Sequence, residues 1–334
     1  MKSLSKGLLY LSCSLILFTT LFSSPSVPGQ SRIRTGVNAL PSWSGNVLYI
    51  NIHKLMNDPL FSKMIYKDKA FQRANRELKQ IGVDIKRDIR TLIAGFSEID
   101  PTRQKPPSIV VIMDVRYDPD KLLSLIKKKA AKKRNQDIGI ETINGFTVLS
   151  FKNDPEDFKM ALLDGQALLI SNASKMKEAI NLALGKGKSL RANRKVYSLT
   201  QTVKSNNLFW GVIKLNQATK DFGKEASKDS ALAGISQQID YVDAITFATH
   251  SARKLDMSVN THCKTKASAQ EVAKTYQGLL AMMQLATENA PISVKGMVKK
   301  IVVKQSGKLA SVKLSVKRSQ LQKFIDFINT PPHR

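Results

Sequence analysis

Two dipeptides, Asn144-Gly145 and Asp164-Gly165, constrain this chain more than anything else in it. Both residues of such a pair tolerate the positive φ that a two-residue hairpin turn demands. Ile138 to Ile143 and Phe146 to Phe151 flank the first pair, and Ala161 to Leu163 and Ala167 to Ser171 flank the second. These segments therefore become antiparallel neighbours. Strands in runs, joined by hairpins and followed by helices, specify an α+β fold rather than a wound parallel sheet. Asn172-Ala173-Ser174 then caps a helix over Lys175 to Leu184, which Gly185 ends.

The residues before these hairpins read as the same unit. Asn46 to Ile52 is a strand. Asp58-Pro59 starts a helix, with an acid at the cap and proline in the first turn. Phe71 to Ile81 is a second helix, closed by Gly82. Ile89 to Phe96 and Ser108 to Val115 are strands, and Asp118-Pro119-Asp120 opens a basic helix to about Arg134. The second half follows a similar order. Strands at Asn207 to Ile213, Ala244 to Ala248 and Leu255 to Cys263 precede a helix over Ser268 to Leu285. A hairpin at Ser306-Gly307 and a helix from Ser319 to Ile328 close the chain. The expected organisation is a signal peptide at 1–29, a linker at 30–45, one α+β domain at 46–190 and another at 205–330, the last a divergent repeat of the first. Helices are expected on one face of the antiparallel hairpins.

Lys54-Leu-Met-Asn-Asp-Pro-Leu-Phe61 and Gly82-Val-Asp-Ile-Lys-Arg-Asp-Ile-Arg-Thr-Leu-Ile-Ala-Gly95 carry a resemblance. This opening resembles that of a loose group of exported bacterial α+β proteins without established activity. It covers the first half of the chain. The resemblance implies export and fold and carries over no site residue.

Export is also read from the N-terminus. Lys2 and Lys6 precede an apolar stretch from Gly7 to Phe22, and Ser23 to Gln30 form a small-residue and proline exit. That order is the one of a cleavable signal peptide. Anchoring by residues 7–22 is the alternative. Removal of the signal leaves Cys263 as the remaining cysteine, expected as a half-buried strand residue, so no intrachain disulfide forms.

Several catalytic patterns fail on inspection. Gly185-Lys186-Gly187-Lys188-Ser189 lacks the first glycine of a phosphate loop, since position 182 is Leu, and a helix precedes it. Ser124/Lys127, Ser174/Lys177 and Ser251/Lys254 have the spacing of acylating serine enzymes but no Lys-Thr-Gly partner. His53, at a strand end, His250, His262 and His333 do not cluster, and His262 and Cys263 alternate to opposite sides of one strand. Asp154, Glu156 and Asp157 read as the capped start of a helix through Phe158 and Met160. No catalytic, cofactor or metal residue is assigned.

Charge is what remains. The 334 residues carry 53 Lys+Arg against 26 Asp+Glu, a net charge of +27. Such a balance draws a protein to anionic surfaces and says nothing of fold. Lys127, Lys128, Lys129, Lys132, Lys133 and Arg134 crowd one helix end and form the candidate anion site. Further clusters lie at Lys186/Lys188/Arg191/Arg194/Lys195, at Lys295/Lys299/Lys300/Lys304, and at Lys308, Lys313, Lys317 and Arg318. The expected role is a non-enzymatic, exported binding or scaffolding protein of the cell envelope. Its expected partner is an anionic polymer or lipid headgroups. A hydrolase whose site is assembled from distant residues is the alternative. A nucleic-acid binder is the third reading, weakened by the lack of aromatic residues among the charges.

Overall fold

A computed structural model of the chain describes residues 33–98, 107–132, 138–151, 157–203, 206–227, 238–251 and 254–322. The expected signal segment lies outside them. The chain gathers into two compact units. The first holds the described residues up to Ser44 with Tyr49–Phe96 and Ser108–Arg194; the second holds Gly45–Leu48, Ser97, Glu98, Pro107 and the described residues from Lys195 onward.

In the first unit, β1 (Asn46–Ile50, of which Tyr49 and Ile50 belong here) leads into α1 (Ile52–Asn57), α2 (Pro59–Lys67), α3 (Lys69–Gln80) and α4 (Ile85–Asp88). Then come β2 (Ile89–Phe96), β3 (Ile109–Val115), α5 (Pro119–Lys132), β4 (Ile138–Ile143), β5 (Phe146–Phe151), β6 (Phe158–Leu163), β7 (Ala167–Asn172) and α6 (Ala173–Ala183). The strand order is β1-β2-β3-β7-β6-β5-β4, antiparallel from β2 to β4. Both hairpin turns form as the dipeptides require, with φ of 53° and 85° at Asn144-Gly145 and 51° and 64° at Asp164-Gly165.

The core is legible from register. Ile93 faces Ile112, Ile112 faces Leu169, Leu169 faces Ala161 and Ala161 faces Val148, and all five are fully buried. One residue along, Leu92, Met113, Leu168 and Leu162 make a second buried row on the opposite face. Each such side chain contributes about 1.5–3 kcal/mol when buried. Helices on one face alone were expected, yet both faces are covered. The Met113 face meets Leu78 of α3, Ile81 just past its end and Leu122 of α5, around an apolar void of about 10 Å³. The Ile93 face meets the segment 37–44, part of the expected linker. A side chain at Gly95 would strike Ser44 Oγ at 2.5 Å and Leu40 Cδ2 at 3.3 Å. Leu40 is fully buried and accepts a bond from Leu190 N at 2.7 Å. The near-continuous apolar run of β3 is what a strand buried on both sides requires.

Three local expectations need correction. Phe158 and Met160 lie in β6, not in a helix, because their partners Asn172 and Ile170 extend the second hairpin. Asn172 stands at the N-cap of α6 but makes no cap bond; its Oδ1 accepts from Ile109 N at 2.6 Å and so ties β3 to β7. His53 sits in α1, because β1 stops at Ile50 and the Asn51 side chain caps a helix by accepting from Lys54 N.

The Gly-x-Asp-x-x-Arg-Asp motif is a closed turn. Gly82 has φ 80°. Asp84 caps α4 by accepting from Lys86 N and Arg87 N, and Asp88 reaches back to accept from Asp84 N at 2.8 Å. Arg87 then holds Asp88 with two bonds of 2.8 Å, and this pairing first of all lowers the Asp88 pKa below the usual carboxylate range.

The second unit carries α7 (Arg194–Val203, from Lys195 onward), β8 (Phe209–Lys214), α8 (Gln217–Ser227), β9 (Val242–Ser251), β10 (Lys254–Cys263), α9 (Lys266–Ala286), α10 (Ile292–Val298), β11 (Ile301–Ser306) and β12 (Leu309–Lys317). Its strand order is β8-β9-β10-β12-β11, antiparallel throughout. Residues 318–322 are helical. The first half of α9 lies on the sheet, where Ala269, Val272 and Ala273 pack with Val242, Cys263 and Ala310. Thr265 caps that helix by accepting from Ser268 N at 3.0 Å. Cys263 is 4% exposed, more deeply placed than expected, because α9 closes over it. Burial, with Asp243 adding, pushes its thiol pKa up.

Candidate functional site

The lysine helix is α5. Leu122 and Ile126 turn inward, and Lys127 and Lys128 are exposed on the other side. Lys129 and Lys132 fall within the helix span, but their side chains, like Lys133 and Arg134 as a whole, lie outside the described residues. Of the six cations, the described side chains are those of Lys127 and Lys128.

A better-defined basic surface stands in the second unit. Strand β12 alternates Val312, Leu314 and Val316 with Lys313, Ser315 and Lys317. Successive side chains of a strand point to opposite faces, so the lysines and serine share one. Pairing extends that face. Lys317 stands opposite Lys254, Ser315 opposite Asp256 and Lys313 opposite Ser258 on β10. On β11, Val302 stands opposite Lys313 and Lys304 opposite Ser311. Lys254, Lys304, Lys313 and Lys317 are all exposed. Neighbouring strands lie ~4.8 Å apart and each residue rises ~3.4 Å along a strand, so four ammonium groups and the hydroxyls of Ser258 and Ser315 share a face on the order of 20 Å long. Asp256 is the one acid at these paired positions, and among the described residues none of the four lysines makes an ion pair.

The opposite face of the same strands is apolar and carries α9. Ala310, Val303 and Ile245 pack there, and Thr261 Oγ1 lies 2.7 Å from Tyr276 OH. The sheet is thus anchored on one side and presents cations on the other. Long ammonium-tipped stems on open strands can follow a flexible polyanion, whose charge they read without a fixed pocket.

Reactive chemistry finds less support. Lys220 is 4% exposed, and burial, with the charge of Lys264 adding, lowers its pKa. It donates to the Asp240 carbonyl at 3.2 Å, while Lys224 pairs with the Asp240 carboxylate. That arrangement anchors the turn before β9. Among the described residues no three His, Cys, Asp or Glu come together to hold a metal ion. His262 Nε2 lies 3.2 Å from Thr246 Oγ1, and burial lowers its pKa. Ser251, one of the Ser/Lys-spaced residues, accepts from Arg318 at 2.8 Å. No described helix is long and apolar enough to cross a membrane.

Residues 63–290, more than half of the sequence, match the model of one family, described as protein of unknown function (DUF3352). The chain belongs to that family. The match includes the Gly82 to Gly95 motif and extends well past the first half, to which the resemblance had been confined. DUF3352 membership fixes no activity. No curated protein and no solved structure matches the chain.

The residues of the basic sheet face were all in view in the sequence, but in separate groups. Lys304 was counted with the lysines of α10, Lys313 and Lys317 with the last hairpin, and Lys254 with none. The period-2 alternation of β12 was the signal that could have joined the last two.

Proposed function

We propose that this DUF3352 protein is an exported, non-enzymatic binding protein of the bacterial cell envelope that holds an anionic polymer against the β10-β12-β11 face of its second unit. The observation that carries the reading is the shared face of Lys254, Lys304, Lys313 and Lys317, exposed together on paired strands with a single acid among them. The order of charge, apolar core and small-residue exit over residues 2–30 supports export. We further read the two units as divergent versions of one domain. The strand orders β1-β2-β3-β7-β6 and β8-β9-β10-β12-β11 support this, since each third strand is followed in the chain by a helix and pairs with the second strand of a later hairpin, the first unit inserting the β4–β5 hairpin between them.

The test is equilibrium binding to dextran sulfate over a salt series. Binding should weaken steeply with salt, each neutralised cation contributing roughly 0.7–0.9 to the log–log slope by analogy with nucleic acid. The variant Lys304→Glu/Lys313→Glu/Lys317→Glu should lower that slope by about 2 and weaken binding more than about tenfold. Lys127→Glu/Lys128→Glu/Lys132→Glu should have the smaller effect. Undiminished binding in the sheet-face variant would remove this face from the function.

A further inference from the structure

The second half of α9 places apolar side chains in water. Residues 281–286 are exposed at every position, and Gln284 is the one polar side chain among them. Met282 is 53% exposed, Met283 47% and Leu285 68%, and Ile292, which opens α10, is 87% exposed. Six consecutive residues sample more than a full helical turn. A solvated helix keeps an apolar stripe on one side and polar residues around the rest. This segment is apolar over more than half of its circumference, and Gln284, with Glu288 four residues on, forms the polar edge.

The turn between the helices suits a lipid surface. Thr287 N and Oγ1 both donate to Met283 O, at 3.1 and 2.8 Å. Glu288 N donates to Leu285 O, Ala290 N to Thr287 O and Val294 N to Pro291 O. Several of the carbonyls that end α9 are thus satisfied within the turn, which lowers the cost of taking them out of water. Val294, Met297 and Val298 are buried and hold α10 in place. Behind the apolar tip stand cations: Lys295 on α10, with Lys299 and Lys300 exposed just past it. Lys299 follows Ile292 by seven residues, about 10 Å along a helix axis. An apolar face enters the headgroup/acyl boundary by ~5–10 Å, so that spacing leaves Lys299 at the headgroups. Glu288 is the acid of the turn and limits entry to a shallow depth.

We propose that the α9–α10 turn docks on an anionic lipid bilayer. Met282, Met283, Leu285 and Ile292 enter the acyl boundary, and Lys295, Lys299 and Lys300 face the phosphates. This goes beyond polymer binding and uses another surface, since α9 lies on the sheet face opposite the exposed lysines.

The experiment is sedimentation of the full chain with vesicles of phosphatidylglycerol and phosphatidylcholine, and with phosphatidylcholine alone, for the parent and for Leu285→Ser/Ile292→Ser. Both chains carry the same N-terminus, so their difference reports the tip. The parent should partition more strongly onto the anionic vesicles, and the variant should lose at least about tenfold in partition coefficient. Its thermal midpoint and dextran sulfate binding should be unchanged. A Leu285→Cys chain carrying an environment-sensitive dye should shift to the blue on the anionic vesicles. Equal partitioning of parent and variant, or no dye shift, overturns the proposal and leaves polymer binding standing. A parent that instead self-associates through this turn, with the variant monomeric and vesicle binding unaffected, assigns the tip to a second copy and overturns it as well.

Discussion

Replacing Lys317 by glutamate should weaken polymer binding and stabilise the free protein at the same time. Lys254 and Lys317 are direct antiparallel partners, and like charges directly opposite on a sheet are destabilising. Two unit charges ~6 Å apart in water repel by roughly 0.7 kcal/mol. Reversing one turns that repulsion into a similar attraction. Asp256 lies two residues along β10 on the same face, ~7–8 Å from position 317, and its attraction to Lys317 becomes a repulsion, which offsets about 1.1 of the roughly 1.4 kcal/mol swing at Lys254, so the net gain is about 0.3 kcal/mol. For a chain of this size that raises the thermal midpoint by roughly 1 °C. The assay is calorimetric unfolding of the parent and Lys317→Glu at low salt and again at 1 M, where the Debye length of ~3 Å should abolish the difference. In parallel, Lys317→Glu should bind dextran sulfate more weakly than the parent. A lower midpoint at low salt, or a gain that survives 1 M salt, would show that the two side chains do not confront each other and would refute the register argument. A raised midpoint with undiminished binding would keep the register and dismiss the face as the binding surface.

Two further predictions concern the first unit. Asp88→Ala leaves Asp84 N without its acceptor and should cost about 2 kcal/mol in a denaturant series, whereas Arg87→Ala, at a solvent-facing guanidinium, should cost far less; equal losses would move the weight of the motif onto the ion pair. The folded pKa of Asp88 is depressed, chiefly by Arg87, so its stabilisation is present above the unfolded value of about 3.9 and is lost as pH falls through the folded one. The gap between parent and Asp88→Ala should therefore be flat from neutral pH to about 4 and shrink below it. Asn172→Ser retains a good capping side chain but cannot reach Ile109 N, so it should cost about 1 kcal/mol; a neutral result would restore capping as the role of Asn172.

What the sequence could and could not show divides along the range of the interactions involved. The Asn144-Gly145 and Asp164-Gly165 turns, the Asp58 cap and the Gly82 stop depend on a few adjacent residues, and the strands and helices they bound follow. Phe158 and Met160 went wrong because the acids before them resemble a helix cap, while the pairing of Phe158 with Asn172 and Met160 with Ile170 decides the matter across a hairpin. Asn172 shows the same conflict at one side chain: a residue with the right chemistry and position for a cap is taken by a backbone N–H 63 residues away. Helix α8 carries a start signal that sequence reading passed over, Asn216, whose side chain accepts from Thr219 N at 2.8 Å; α10 carries none and is held through buried Val294, Met297 and Val298 rather than by caps.

The candidate site obeys the same limit more severely. A lysine run such as 127–134 is visible because its charges are consecutive, yet consecutive residues of a helix spread around its axis and do not form a surface by themselves. Lys254 and Lys317 are 63 positions apart in the chain and become immediate neighbours through the pairing of β10 with β12. Lys304 joins them through β11, whose register follows from the Ser306-Gly307 turn. A basic face on a sheet is thus a property of register, and its members look like scattered solvating charges until the strands are paired. The apolar tip of α9 inverts this: Met282, Met283 and Leu285 read in sequence as ordinary core residues at helical spacing, and it is their exposure, where the helix continues past its buried first half, that sets them apart.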